Sequence, residues 1–252
     1  MKSAVSSVTP KKITVIILAV GSPPLVDDAT PYPIFLSEID QNSVLEIIAA
    51  RIAKIKNSQE HYVFLESQAT RFHLSQIASL LSPSCVITKI SDETKGSGCT
   101  ALLGACKVDP ESELLFISAN ELVDVDFNEM LDDFRKRDLD GGTLIFKSLH
   151  PRYSFVSLDE KNFVTYAAQR EPISSNATAG IFWFKKAGDF VEAIKQLILK
   201  DIHVDGSFFI APTFNELILR HKRVGVMPLK KDAYVPLKTE QQVIEFANKR
   251  AI

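Results

Sequence analysis

Gly96-Ser97-Gly98-Cys99-Thr100 runs into an apolar segment. A glycine-rich turn that opens a helix presents backbone amides to an anion or a base, and the same glycines also serve simply to let a chain turn tightly. Cys99 stands where a helix start would lower a thiol pKa, while its apolar neighbours suit burial as a small residue. Asp124 and Asp126 are carboxylates ahead of an amphipathic segment, which suits capping of helical amides. The histidines, His61, His73, His150, His203 and His221, lack ligand spacing and give a zinc site no support. Trp183 lies among alternating bulky residues and reads as core rather than as a platform for a sugar ring.

The elements that must position these groups follow from apolar periodicity. Ile13 to Val20 is a short, almost wholly apolar run, which predicts a central strand buried on both faces of a parallel sheet. Ser43 to Lys56 carries Val44, Leu45, Ile47, Ile48, Ile52 and Ile55 at helical spacing, with Ser43 as N-cap. Strands are predicted over 61–65, 85–88 and 113–118, and helices over 71–81, 97–105 and 127–136, the alternation of a doubly wound sheet. From Gly142 onward the pattern changes to short strand candidates at 142–147, 153–158, 163–168 and 179–184, separated by turn residues as in antiparallel pairing. Helices at 190–200 and 212–221, a strand at 223–229 and a helix at 239–249 complete the reading. Residues 1–12 read as a loose tail, and 13–252 as one α/β domain, a Rossmann-like mixed sheet with an antiparallel extension.

The chain has 252 residues, 46% hydrophobic and 24% charged, with a formal net charge of -2. That balance gives no bulk attraction to nucleic acid or to an anionic membrane, so a phosphate ligand requires a local site. Three cysteines without metal-like spacing suit free thiols in a reducing compartment, so the cytoplasm is the expected location.

Several segments together resemble sugar-phosphate nucleotidyltransferases of the glucose-1-phosphate thymidylyltransferase type. Thr94 to Ala105 is similar to the loop and helix that hold the nucleobase in that family, and Glu113 to Asp124 resembles the strand that ends at its metal site. The similarity continues through Asp140 to Ser148, Pro172 to Phe184 and Gly206 to Asn215. The resemblance implies a nucleotide-binding α/β fold shared with GT-A glycosyltransferases. It also implies attack by a sugar phosphate on a nucleoside triphosphate with Mg²⁺, in nucleotide-sugar or surface-polysaccharide metabolism. Carried over by position, it places Ala19, Val20, Gly21, Gly96, Ser97, Gly98 and Thr100 at the nucleotide, and Asn120, Arg170, Glu171 and Gly180 at the sugar. Glu121 and Asp205 fall near the metal. The implied ligands are a nucleotide or a sugar phosphate, and the implied assembly is a homodimer.

The chain departs from the family where charge matters most, because phosphoryl transfer relies on positioning and charge neutralisation. The loop from Ala19 to Asp28 keeps one glycine, and its two prolines and two aspartates suit a triphosphate poorly. Ile34 stands where the family has a phosphate-contacting lysine, Asn120 where it has a metal-binding aspartate, and Ser207 where it has a second acidic ligand. Glu171 occupies a lysine position, with Arg170 beside it. The expectation is an inherited fold with lost or altered catalysis. Two other readings stand beside it: a non-catalytic relative that binds a nucleotide, a sugar or a partner protein, and a glycosyltransferase that uses Asp124 and Asp126 on a donor diphosphate.

Overall fold

The computed structural model describes residues 12–20 and 32–250. In chain order the elements are β1 (Ile13–Ala19), a 3-10 turn (Ile34–Leu36), β2 (Glu38–Ile39), β3 (Asn42–Ser43), α1 (Val44–Ile52), β4 (Ser58–Leu65), α2 (Glu66–Arg71), α3 (Leu74–Leu81), β5 (Val86–Ile90), α4 (Gly96–Ala105), β6 (Glu113–Ser118), β7 (Glu121–Val123) and α5 (Phe127–Lys136). They continue with β8 (Gly141–Lys147), β9 (Ser154–Leu158), β10 (Val164–Gln169), β11 (Asn176–Phe184), α6 (Ala187–Leu199), α7 (Thr213–Leu219), β12 (Val224–Pro228), β13 (Tyr234–Pro236) and α8 (Glu240–Arg250).

All seven residues of β1 are buried, in keeping with a run that is apolar at all but Thr14. It pairs in parallel with β4 on one side and β6 on the other, and β5 extends the sheet beyond β4. Its side chains alternate between two cores. Ile13, Val15 and Ile17 join the apolar faces of α1 and α5, whereas Ile16 and Leu18 join α4, α6 and α7. A strand thus sandwiched makes the sheet doubly wound. Beyond β6 the pairing turns antiparallel: β11 pairs with β6, β8 and β9, β10 pairs with β9, and β12 lies parallel to β8. The predicted parallel core with an antiparallel extension is the architecture found.

Local chemistry sets the ends of the elements. Ser43 caps α1 through a capping box, its Oγ accepting from the Glu46 amide at 3.2 Å while the Ser43 amide donates to Glu46. The segment 71–81, read as one helix, is divided into α2 and α3 because His73 takes a left-handed conformation, φ 52°. Two small antiparallel pairs, β2 with β3 and β7 with β13, lie outside the sequence reading. The second pair matters for the site, because it brings the chain near its C-terminus onto the end of β6.

Candidate functional site

The chain leaves β1 to build β4 and β5 on one side, then crosses back to place β6 on the other. In an open α/β sheet the carboxyl ends of strands flanking such a reversal form a crevice. A cleft of about 260 Å³ opens there. Leu18, Val20, Ser118 and Asn120 form its floor, Ser97 enters from α4, and Thr178, Gly180, Phe182, Ser154 and Gln169 form the opposite wall. Arg152, Tyr153, Phe209, Ile210 and Lys238 complete the lining.

Glu121 is the electrostatic centre. Its side chain is 8% exposed and forms an ion pair with Lys238, which arrives just after β13. Gly180 makes room for this carboxylate. The register of β11 against β8 shifts between Thr178 and Phe182, and Gly180 within that bulge has φ +67°. A Cβ there would stand 2.4 Å from Glu121 Oε2, so only glycine permits both the bend and the carboxylate beneath it.

Two acceptor oxygens in this floor are buried without a hydrogen-bond donor, Glu121 Oε2 and Asn120 Oδ1. The Asn120 amide reaches the Val20 carbonyl at 3.5 Å, which ties the ends of β6 and β1 together. Behind them, Tyr234 stacks on Phe146 with ring centroids 4.0 Å apart, and Tyr153 meets both rings edge-on. Burial first, then the Glu121 carboxylate and Tyr153, hold the Tyr234 phenol far above its ordinary range, and its oxygen makes no hydrogen bond of acceptable geometry. Burial likewise raises Tyr153. Both phenols are neutral at pH 7, so among the described residues the charged side chains lining the cleft are Glu121, Lys238 and Arg152.

Val20, Ser97, Asn120, Glu121 and Gly180 meet around this cleft. Ala19 is buried in β1, and Gly21 lies outside the described residues. Gly96 and Gly98 are seated under the 207–208 backbone. The Gly98 amide donates to the Phe208 carbonyl at 2.8 Å, and a Cβ on Gly96 would stand 2.5 Å from that oxygen. The Thr100 hydroxyl is buried against Thr94 and Gly96. Arg170 and Glu171 are exposed, and Arg170 joins Asp205 at 2.8 Å while lying 5.7 Å from the Phe209 ring centroid. Ile34 packs in the core at 6% exposure.

Asp126 caps α5, its Oδ1 accepting from the Asn128 and Glu129 amides, and neither it nor Asp124 lines the cleft. Cys99 has its thiol pKa raised by burial, the direction that opposes reactivity. Sequence reasoning missed Arg152, Ser154, Gln169, Thr178, Phe209 and Lys238. Thr178 and Gln169 carry a strand-face signal, whereas Arg152 and Lys238 carry none, being single cations in polar connections.

The magnesium ion implied by the resemblance would need several oxygens around one point. Glu121 and Asn120 supply unsatisfied oxygens, but Glu121 already holds Lys238, and Asp205 is paired with Arg170 away from the cleft lining. Among the described residues no group of three or more His, Cys, Asp or Glu side chains converges to hold a metal. These residues do not fit a site of that kind.

No family model and no curated protein matches the sequence. Solved structures do match in shape. A nucleoside-diphosphate-sugar pyrophosphorylase from Vibrio cholerae superposes with a TM-score of 0.76 at 18% identity, covering 93% of this chain and 99% of that one. A UDP-glucose pyrophosphorylase complexed with UDP-glucose gives 0.74 at 12% identity, over 95% and 98% of the two chains. The inositol-1-phosphate CTP transferase from T. maritima gives 0.72 at 13%, over 95% and 96%. The fold is therefore that of the nucleotide-sugar pyrophosphorylases and related nucleotidyltransferases. No helix among the described residues is long and apolar enough to cross a membrane.

Proposed function

We propose that this chain binds a sugar phosphate, or the sugar-phosphate end of a nucleotide sugar, in the cleft at the ends of β1 and β6, and that its transfer chemistry is lost or altered. The observation that carries this reading is the lining itself. Hydroxyls from Ser97, Ser118, Ser154 and Thr178 and amides from Asn120 and Gln169 surround one volume with Arg152 and Lys238. Such a set suits a polyol bearing an anion. The neighbouring folds belong to proteins named for nucleotide sugars and sugar or inositol phosphates, which supports the ligand class.

The same reading takes Val20 and Ser97 as the nucleotide side and Asn120 and Gly180 as the sugar side. Arg170 and Glu171 become rim residues, and Gly96, Gly98 and Thr100 shape the wall from behind. A reducing, cytoplasmic setting and a role in nucleotide-sugar metabolism belong to the proposal, supported by three unpaired cysteines. A binding role without turnover is favoured by one specific observation: the carboxylate best placed for a metal is held by a lysine.

Thermal-shift titration with sugar 1-phosphates and nucleotide sugars, beside pyrophosphate-release assays with each of the four nucleoside triphosphates, tests the reading. Stabilisation by a phosphorylated sugar without pyrophosphate release supports it. Rapid Mg²⁺-dependent release of pyrophosphate would restore conventional activity, and silence towards every ligand would remove the binding claim.

A further inference from the structure

We propose that Lys238 is the built-in counter-cation of the cleft, so that its anionic ligand is bound by Lys238 and Arg152 without a divalent metal. The inference rests on the reading that a phosphorylated sugar enters this cleft, and goes beyond it by naming what neutralises the phosphate.

The Lys238–Glu121 pair occupies a prepared place. Glu121 is nearly buried, Gly180 is bare of a side chain where the carboxylate lies, and the Leu237 amide donates to the Asn120 carbonyl at 2.9 Å, fixing the backbone next to the lysine. The pair links β7 to the segment after β13, residues 117 apart in sequence. An ammonium has three N–H donors. Among the described residues the Lys238 Nζ meets one acceptor side chain, Glu121, and the Lys238 side chain, 33% exposed, lines the cleft.

Arg152 supplies the second cation. Its guanidinium lies 5.2 Å from the Tyr153 ring centroid, and no carboxylate among the described residues pairs with it. Among the described residues the charged side chains lining the cleft are Glu121, Lys238 and Arg152, which together leave one net positive charge and a guanidinium fork to meet a phosphate. A divalent ion entering here would have to displace Lys238 from Glu121, and among the described residues it would find no second carboxylate lining the cleft. A phosphomonoester needs no such rearrangement.

Calorimetric titration of the full chain with a panel of sugar 1-phosphates, including α-D-glucose 1-phosphate, and with nucleotide sugars tests this. Each is run in EDTA and again in excess Mg²⁺. We expect the same affinity in both for whichever phosphorylated ligand binds best. Lys238→Met and Arg152→Met should each weaken it by roughly tenfold, the loss of one charge-assisted hydrogen bond. Lys238→Arg should retain affinity within about threefold, because a cation remains beside Glu121.

Lys238→Met leaves Glu121 without its partner and can unfold the chain, so the double variant Glu121→Gln, Lys238→Met serves as the neutral control. It too should lose roughly tenfold in affinity, and Mg²⁺ should not restore it. Binding that requires Mg²⁺, or a folded double variant that binds as the parent does, overturns the role of Lys238 while leaving the cleft assignment standing. Failure of the whole panel with and without Mg²⁺ overturns both.

Discussion

The two walls of the cleft are built differently. The parallel wall, formed by the ends of β1 and β6 with the start of α4, presents Val20, Ser97, Ser118 and Asn120, and its cleft-lining residues carry no positive charge. The antiparallel wall and the segment after β13 present Ser154, Gln169, Thr178, Arg152 and Lys238. Behind the first wall Gly96, Gly98 and Thr100 serve packing: both glycines lie against Phe208, and Thr100 bonds its own turn. In the second, Gly180 serves a carboxylate that carries a lysine. Among the described lining residues, the cations of the cleft therefore sit with the antiparallel wall and the segment after β13, and the parallel wall contributes neutral polar groups.

Substitutions at the glycines behind the parallel wall should therefore cost stability, and those at the cations of the antiparallel side should cost affinity. The largest effect is expected for Gly96→Ala. The new methyl would stand 2.5 Å from a backbone oxygen at φ +86°, and a loss of roughly 3 kcal/mol in urea-unfolding free energy is predicted. At temperatures where that variant is folded, ligand affinity should stay within about threefold of the parent, since Gly96 packs behind the cleft and does not line it. A variant as stable as the parent but unable to bind would give Gly96 to the ligand instead.

The parallel half also stores a pH-dependent term. His61 on β4 is buried, bonded to Thr88 at 2.7 Å, and its pKa is lowered to about 4 by burial and, less, by Lys107. Its unfolded value is near 6.5, so the unfolded chain binds the extra proton between those limits. The contribution is complete above pH 6.5 and is lost as pH falls towards 4. On the order of 2 to 3 kcal/mol should disappear over that window. Unfolding curves for the parent and for His61→Asn at pH 7 and pH 4.5 check the sign, and parallel pH profiles for the two would refute it.

Arg152→Met sharpens the other side. Its side chain is exposed and has no ionic partner among the described residues, so the melting temperature should hold within about 1 °C while affinity for a phosphorylated sugar falls by roughly tenfold. The smallest effect is expected at the rim. The Arg170–Asp205 pair is 50% and 77% exposed, so Asp205→Asn should change stability by less than about 0.5 kcal/mol and leave metal response unaltered. A Mg²⁺ dependence that vanishes in that variant would show that the antiparallel wall works through a metal after all.

Much of the fold was legible, for a physical reason. A strand buried on both faces must be largely apolar, and Ile13 to Ala19 is so at every position but Thr14, so the centre of the sheet announces itself. Helix α5 shows its amphipathic face at Phe127, Met130, Leu131 and Phe134, all buried as the spacing required. The pairs β2 with β3 and β7 with β13 were not legible, because strands of two or three residues have no measurable period.

The cleft was legible in part. Val20, Ser97, Asn120, Glu121 and Gly180 are positions that the family resemblance carried over, and these residues line it. Lys238 was invisible because an isolated lysine in a polar connection has the same sequence signature whether it is solvated or bound to a buried carboxylate. Only the β7–β13 pairing, far apart in sequence, reveals the partner. Glu121 was read beside a metal for a related reason: its position was legible, whereas the cation that answers its charge was not.

The central claim is that a fold shared with nucleotide-sugar pyrophosphorylases here holds an anionic sugar by its own cations. A crystal structure grown with a tightly bound sugar phosphate and excess Mg²⁺ tests it most directly. The account predicts the phosphate between Arg152 and Lys238, with the Lys238–Glu121 pair intact. A magnesium ion on Glu121 and Asn120, with Lys238 displaced and phosphates turned towards Ser97, would contradict it.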